Sequence, residues 1–423
     1  MPSAHADEAG TRKPPHPLAY TILIVPFGAT SGFATVTLAF LATRVGLQVE
    51  DGAALVAVSL FPNVWKFLWS PIGDMTLSRT RWYLISCVLC ALGMFAMATL
   101  PLGPSTLGAM TAIVLVTSVA ATFLGFAVEG MIAAATPAAE RGTVSGWYQA
   151  GNLGGSGVGG GLGLLLLNTL PAPWMAGTIL GVLTLACAIP IWLLPDVPRT
   201  PTTGSVLAAT RDVARDVWRA ITSREGALGA FLCFLPVATG AAGSVLAQAE
   251  VAARWGAGEH EVALTQGFLT GGVSMVGCLA GGAICQRLDA RTAYAVFGAL
   301  MAAVTAAMAL SPMVPSTYVG YAIAYAFVTG LSYAAFSALV FDAIGPEGHA
   351  ATKYNGFASL SNTPIWYVGL VLAWAETRWG PEAMLFVESG LGLVGIALFA
   401  IASYAFPRGS RGPSVTGPSS GDE

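Results

Sequence analysis

Twelve apolar segments of bilayer-crossing length follow one another along this chain, at 18–43, 52–72, 82–100, 107–134, 143–169, 175–194, 227–248, 263–285, 292–310, 317–342, 355–375 and 384–405. A hydrocarbon core about 30 Å thick takes ~20 apolar residues in a helix. Lipid offers no hydrogen-bond partner to an open sheet edge or an irregular backbone. The expected fold is therefore all-α integral membrane, with twelve transmembrane helices. Composition agrees: 55% of the 423 residues are hydrophobic and 10% charged, against about 25% charged in a soluble domain. Met1 to His16 is polar and the first apolar run continues past signal-peptide length, so no cleaved leader is expected.

The long polar connection, Pro195 to Gly226, carries five arginines and divides the series into six and six. The expected boundaries are a tail over 1–17, a first half over 18–194, a linker over 195–226, a second half over 227–406 and a tail over 407–423. Within the linker, Val206, Leu207, Val213, Val217, Trp218 and Ile221 alternate with charges. They fit an amphipathic helix on the membrane face or a solvated connection. Of the nineteen basic residues, fifteen fall on the even-numbered turns, the linker and the two tails, while Arg44, Arg254 and Arg378 lie on the opposite side. Basic residues concentrate on the cytoplasmic side of short loops, so both termini are expected to be cytoplasmic.

The halves echo each other. An offset of 210 residues matches Gly146 with Gly356 and Asn152 with Asn362, while the carboxylates Glu129 and Asp342 need 213. Two six-helix halves related by an axis along the membrane normal are the major facilitator architecture, which holds its substrate cavity at their interface.

Lys66 is the remaining basic residue, and it lies inside an apolar run, Val64-Trp-Lys-Phe-Leu-Trp-Ser-Pro-Ile-Gly-Asp74. An ionisable group at membrane depth is costly and marks function by default. Lys66 stands about eight residues before its turn and Glu129 about six before its own, both on descending spans; at ~1.5 Å per residue their depths agree within a turn. An ion pair between them would offset the cost of burying each charge. A carboxylate that takes a proton could open such a pair and couple a proton gradient to transport; a static pair and a snorkelling lysine are the alternatives. Asp342 is the second-half counterpart, placed to act likewise, to cap its helix or to pair with Lys353.

A polar solute needs donors, acceptors and flat faces well inside the spans. Asn63, Trp65, Tyr148, Gln149, Asn152, Gln266, Tyr333, Asn362, Trp366 and Tyr367 are the candidates, with helix–helix hydrogen bonding and interfacial anchoring as their plainer uses. Span 5 carries Gly151, Gly155, Gly159 and Gly163 at four-residue intervals, a side-chain-free face suited to close helix packing and to rocking.

Other classes fit poorly. The six cysteines fall in apolar runs as packing residues, and Cys87 and Cys90, though spaced as a redox pair, have no basic neighbour. His5, His16, His260 and His349 lie outside the spans and no metal-ligand spacing occurs, so neither a membrane-embedded enzyme nor a metal or other cofactor is expected. No Gly-Lys-Ser/Thr phosphate loop supplies ATP hydrolysis, which leaves an ion gradient as the energy source. A net charge of −3 without a basic run excludes a nucleic-acid partner. The short tails leave no room for a sensor domain.

The string KFLWSPIGD, followed by Arg79, Arg81 and Trp82, resembles the span 2 to span 3 turn of AmpG-type muropeptide permeases and the related acetyl-CoA transporters, a branch of the major facilitator superfamily. Pro137-Ala-Ala-Glu-Arg-Gly142 resembles that branch's turn after span 4, and Ala351-Thr-Lys-Tyr354 its turn after span 10. Met75 stands where that branch usually writes an arginine, the basic cluster is spread to Arg79 and Arg81, and two extra spans common in muropeptide permeases are missing. Short siderophore importers fit the twelve spans equally well. The resemblance implies a monomeric carrier in the inner membrane that imports a small polar solute with protons. It also implies a gating latch in which Asp74 meets Arg79 and Arg81, with Arg141 and Lys353 in the corresponding turns.

Overall fold

The computed structural model describes residues 16–47, 49–69, 72–73, 76–194, 211, 215, 218–219, 222, 224–246, 249–344 and 350–405. Twelve principal helices run through them in series. They are α1 (Leu18–Gly32), α2 (Val49–Trp65), α3 (Arg79–Thr99), α4 (Leu107–Ala135), α5 (Arg141–Gly157), α6 (Pro173–Ala186), α7 (Arg224–Phe234), α8 (Thr270–Ile284), α9 (Ala290–Ala309), α10 (Pro315–Ile344), α11 (Ala350–Trp379) and α12 (Pro381–Ala405). Ser70, Pro71, Asp74 and Met75 of the turn after α2, most of the linker, and the tails apart from His16 and Pro17 lie outside the described residues.

Seven helical stretches are long and apolar enough to cross a membrane by themselves: Leu18–Leu38, Arg79–Thr99, Leu107–Ala135, Pro173–Leu193, Ala290–Ala309, Pro315–Phe341 and Pro381–Ala402. The other five positions belong to α2, α5, α7, α8 and α11, which are shorter, interrupted or more polar. Position in the bundle explains the division. α3, α6, α9 and α12 expose large apolar residues such as Leu92, Val182, Val296 and Ile401, as a lipid-facing surface requires. The five weaker helices meet the other half or line the space between halves, where neighbouring protein rather than lipid satisfies their polar groups.

Three breaks matter. α1 passes through a π-helical stretch, Phe33–Leu38, and α5 through another, Val158–Leu162; such bulges reset the face a helix presents. α7 stops at Phe234 and resumes as Ala241–Leu246. Between them Ala238 takes φ 49° and Gly240 φ 72°. Pro236 in this gap lies 210 residues after Pro26, which α1 carries inside an unbroken helix.

Each half has its own apolar core. One buried cluster contains only first-half residues, among them Phe33, Met94 and Leu180, and another only second-half residues, among them Trp255, Tyr318 and Leu372. A third joins Tyr20, Tyr83 and Val128 to Val340, Phe341, Tyr354 and Phe357. It sits where α4 hands over to α5 and α10 to α11, and it seals the two halves together on the face where α1 begins.

Candidate functional site

α2 ends at Trp65, and one 3-10 turn, Lys66–Leu68, follows. Lys66 Nζ lies 3.4 Å from Glu129 Oε1, with 9% and 3% of the two side chains exposed. The Tyr148 hydroxyl donates to the same oxygen at 2.8 Å. The ammonium also stands 5.9 Å from the centre of the Tyr354 ring, at the edge of cation–π range. A charge-assisted N–H···O bond is commonly about 2.7–2.9 Å, so Tyr148 holds the carboxylate more closely than the lysine does. Glu129 Oε2 is buried and has no hydrogen-bond partner among the described residues.

These groups face a cavity of about 510 Å³ between the halves. α1, α2, α4 and α5 line it from one side, through Phe27, Asn63, Glu129, Tyr148, Gln149 and Asn152. The α7 gap, α10 and α11 line it from the other, through Val237, Thr239, Tyr333, Tyr354 and Asn362. Lys66 and Glu129 are its charged residues; apart from the Cys233 thiol the remaining lining is aromatic, aliphatic, amide or hydroxyl. The arrangement offers a solute one cation, one carboxylate and a ring of neutral donors and acceptors.

Three hydrogen bonds cross between the halves at the cavity floor. Gln149 Nε2 donates to Ser337 Oγ at 2.6 Å, while Asn152 Nδ2 donates to Gln149 Oε1 at 2.9 Å, and Ser337 Oγ lies 3.3 Å from the Tyr354 hydroxyl. On the other flank the Asn63 carbonyl accepts from Asn362 Nδ2 at 3.3 Å and Ser359 Oγ at 3.4 Å. The repeat-related asparagines Asn152 and Asn362 thus both take part in networks that must part if the halves separate.

Of the remaining sequence candidates, Trp65 is 41% exposed and tilts against Phe61 outside the cavity wall, because α2 gives way to the 3-10 turn just after it. Tyr367 also stands outside the lining: its hydroxyl donates to the Phe234 carbonyl at 3.0 Å and ties off the end of α7. Arg79 lies with its guanidinium 4.3 Å from the centre of the Phe126 ring, packed on α4. Arg81 is exposed on the first turn of α3. Arg141 is 9% exposed and shares a small crevice with Ile132, Thr136 and Phe341 of the other half. Asp74 lies outside the described residues, as do the side chains of Gln266, Asp342, Lys353 and Trp366.

The sequence marked Tyr354 only as the end of the turn after span 10, and it did not single out Ser337, the α7 gap or Glu388 of α12. The last is an intramembrane carboxylate, 6% exposed, and the argument that picked out Lys66 applied to it equally.

A family model described as Major Facilitator Superfamily matches residues 18–368. No curated protein sequence matches the chain. Among solved structures, the chain is similar to the human organic anion transporter MFSD10 (TETRAN), with a TM-score of 0.66 and 16% identity over 90% of this chain and 98% of that one. It is similar to the proton:xylose symporter XylE bound to 6-bromo-6-deoxy-D-glucose, with a TM-score of 0.64 and 12% identity over 92% and 95%. It is also similar to FucP in the outward conformation, with a TM-score of 0.64 and 15% identity over 91% and 98%. At such identities these are likenesses of fold.

Proposed function

The chain belongs to the Major Facilitator Superfamily, and from that premise we propose that it is a secondary active transporter in which Glu129 carries the coupling proton. The observation that carries this reading is the Lys66–Glu129 pair, buried at 3.4 Å on the wall of the cavity between the halves. In the empty carrier the two charges offset each other. A proton taken by Glu129 leaves Lys66 without its counter-charge, and an uncompensated buried charge costs about 3–5 kcal/mol. A solute that brings an acidic group supplies the missing charge, so proton and solute enter together. Neither binds well alone, which is the condition for coupling.

The excess of basic residues supports a cytoplasmic position for the sealed face of the bundle, which makes the conformation outward-facing in this reading. Transport proceeds as the Gln149–Ser337 and Asn63–Asn362 contacts part and the opposite rim closes. The turns of α2, α4 and α10 resemble those of muropeptide permeases, and a sugar-peptide with free carboxylates fits the mixed amide and aromatic lining. An iron-chelator complex that carries an acidic group is the second reading. The carrier works as a monomer in the inner membrane, without a resident cofactor.

The test has two parts. Detergent-purified protein is heated with cell-wall sugar-peptides, ferric chelators or acyl-coenzyme A; a ligand that binds only the folded state raises the unfolding temperature by mass action. The stabilising class is then assayed for uptake in proteoliposomes. Uptake should rise at least tenfold with an inward pH gradient and, for a solute of net charge −1, stay indifferent to an imposed membrane potential, because one proton and one negative charge cross together. Uptake without dependence on pH would sink the proton reading; strong dependence on potential would leave it standing and remove the acidic solute.

A further inference from the structure

Glu388 belongs to none of the contacts of the cavity, yet it lies directly behind one of its walls. It projects from α12 at 6% exposure. Its Oε1 accepts from the Ala242 N–H at 3.1 Å and from the Tyr325 hydroxyl at 2.6 Å, while Oε2 is buried without a hydrogen-bond partner among the described residues. A small void of about 10 Å³ beside it is bounded by Pro236, Ala238 and Thr239, and the last two also line the transport cavity. A single layer of backbone, the α7 gap, therefore separates this carboxylate from the solute path.

That layer is strained. Ala238 sits at φ 49°, a left-handed conformation that a residue with a side chain keeps only when its surroundings hold it. Four side chains hold the gap: Tyr367 at the Phe234 carbonyl, Tyr294 at the Val237 carbonyl at 2.8 Å, Thr239 Oγ1 at the Ala241 N–H at 3.4 Å, and Glu388 at the Ala242 N–H where the helix resumes. Only the last can change charge at ordinary pH, since phenols ionise near pH 10. The groups that face Glu388 are Tyr321 and Tyr325 from α10, Thr305 from α9, Val368 from α11 and the Ala242 amide from α7. None of them is a cation. An ionised Glu388 is thus held by two donors against the cost of burying its charge, and proton uptake removes that cost together with the stronger, charge-assisted form of the bond to Ala242.

We propose that Glu388 is a second proton-binding site, separate from Glu129, and that taking a proton there loosens the α7 gap. The full chain in nanodiscs is followed by hydrogen exchange of the 241–246 amides, corrected for intrinsic chemistry, at pH 5.5 and pH 8. In the unchanged protein, protection should fall at least tenfold at the lower pH. In Glu388→Gln, which keeps the size and an acceptor but not the charge, protection should be the same at both pH values and close to the unchanged protein's low-pH level. Ala242→Pro removes the N–H that the carboxylate holds, at the second position of the resumed helix, within the first turn where proline is tolerated; it should abolish the pH dependence too, and it decides the matter if the Gln variant does not fold. Glu129→Gln should leave the pH dependence intact, so the two proton sites fail separately. Protection indifferent to pH in the unchanged protein, or a pH dependence that survives both Glu388→Gln and Ala242→Pro, overturns the proposal.

Discussion

Glu129→Gln is expected to lower pH-gradient-driven uptake by about a hundredfold or more while leaving solute exchange, measured without a gradient, within a few-fold of normal. Glutamine copies the shape of a protonated carboxyl, and its carbonyl can still accept from the Tyr148 hydroxyl, which bonds Glu129 at 2.8 Å. The variant is therefore fixed in the proton-loaded form. It can pass a bound solute back and forth, but no proton enters or leaves with it. A second consequence concerns stability. Lys66 stays buried at 7% exposure and loses its counter-charge, at a cost of about 3–5 kcal/mol. The unfolding temperature should fall by several degrees, and Lys66→Met in the same chain should restore most of it, because that double variant leaves no lone charge. Restored stability without restored coupling separates the proton role from a merely structural pair. Gradient-driven uptake that survives Glu129→Gln removes Glu129 from the coupling step.

The site could be read from the sequence where the membrane made a residue conspicuous. Lys66 and Glu129 interrupt apolar runs at matching depths, and the structure places them in contact at 3.4 Å. Asn152 and Asn362 stood out because the repeat aligned them, and both line the cavity. Ser337 and Tyr354 had no such mark: a serine and a tyrosine are ordinary in apolar helices, and their place between Gln149 and Lys66 depends on how α5, α10 and α11 dock. The α7 gap was obscured because Phe231 to Val237 is nearly continuous apolar sequence, and hydropathy does not register a change in backbone direction. Pro236, at the repeat offset from Pro26, was the available signal. Trp65 shows the converse error. Its aromatic ring fits a solute site by type, but where it points depends on the helix ending one residue before Lys66.

The glycines of α5 give the second large effect, because they divide between two faces of one helix. Gly151, Gly155 and Gly159 pack on the α1 backbone inside the first half. Gly142, Gly146 and Gly157 pack on α8 across the boundary between halves, against Cys285, Gly282 and Gly271. The four-residue series visible in the sequence thus packs within the first half, and the less regular set packs across the boundary between halves. The two faces can be compared at equal tightness. A Cβ at Gly155 would lie 2.6 Å from the Val25 carbonyl oxygen, and a Cβ at Gly146 would lie 2.6 Å from the Cys278 carbonyl oxygen. Neither backbone can yield as a flexible side chain would. Gly155→Leu must push α1 out of its own half, so it should cost at least the ~1–3 kcal/mol of ordinary overpacking and leave little folded protein. Gly146→Leu can be accommodated by parting the halves, each of which keeps a core cluster of its own and gives up only the shared cluster at the sealed face, so the protein should stay folded with the sealed face held open. Cys278 is fully buried in the closed seam, and its alkylation by a small maleimide, read by peptide mass, should rise at least tenfold in Gly146→Leu while solute uptake falls by a similar factor. Equal loss of folded protein in the two variants, with Cys278 still protected, would mean that the α5–α8 contact belongs to the static core and that the halves move about some other line.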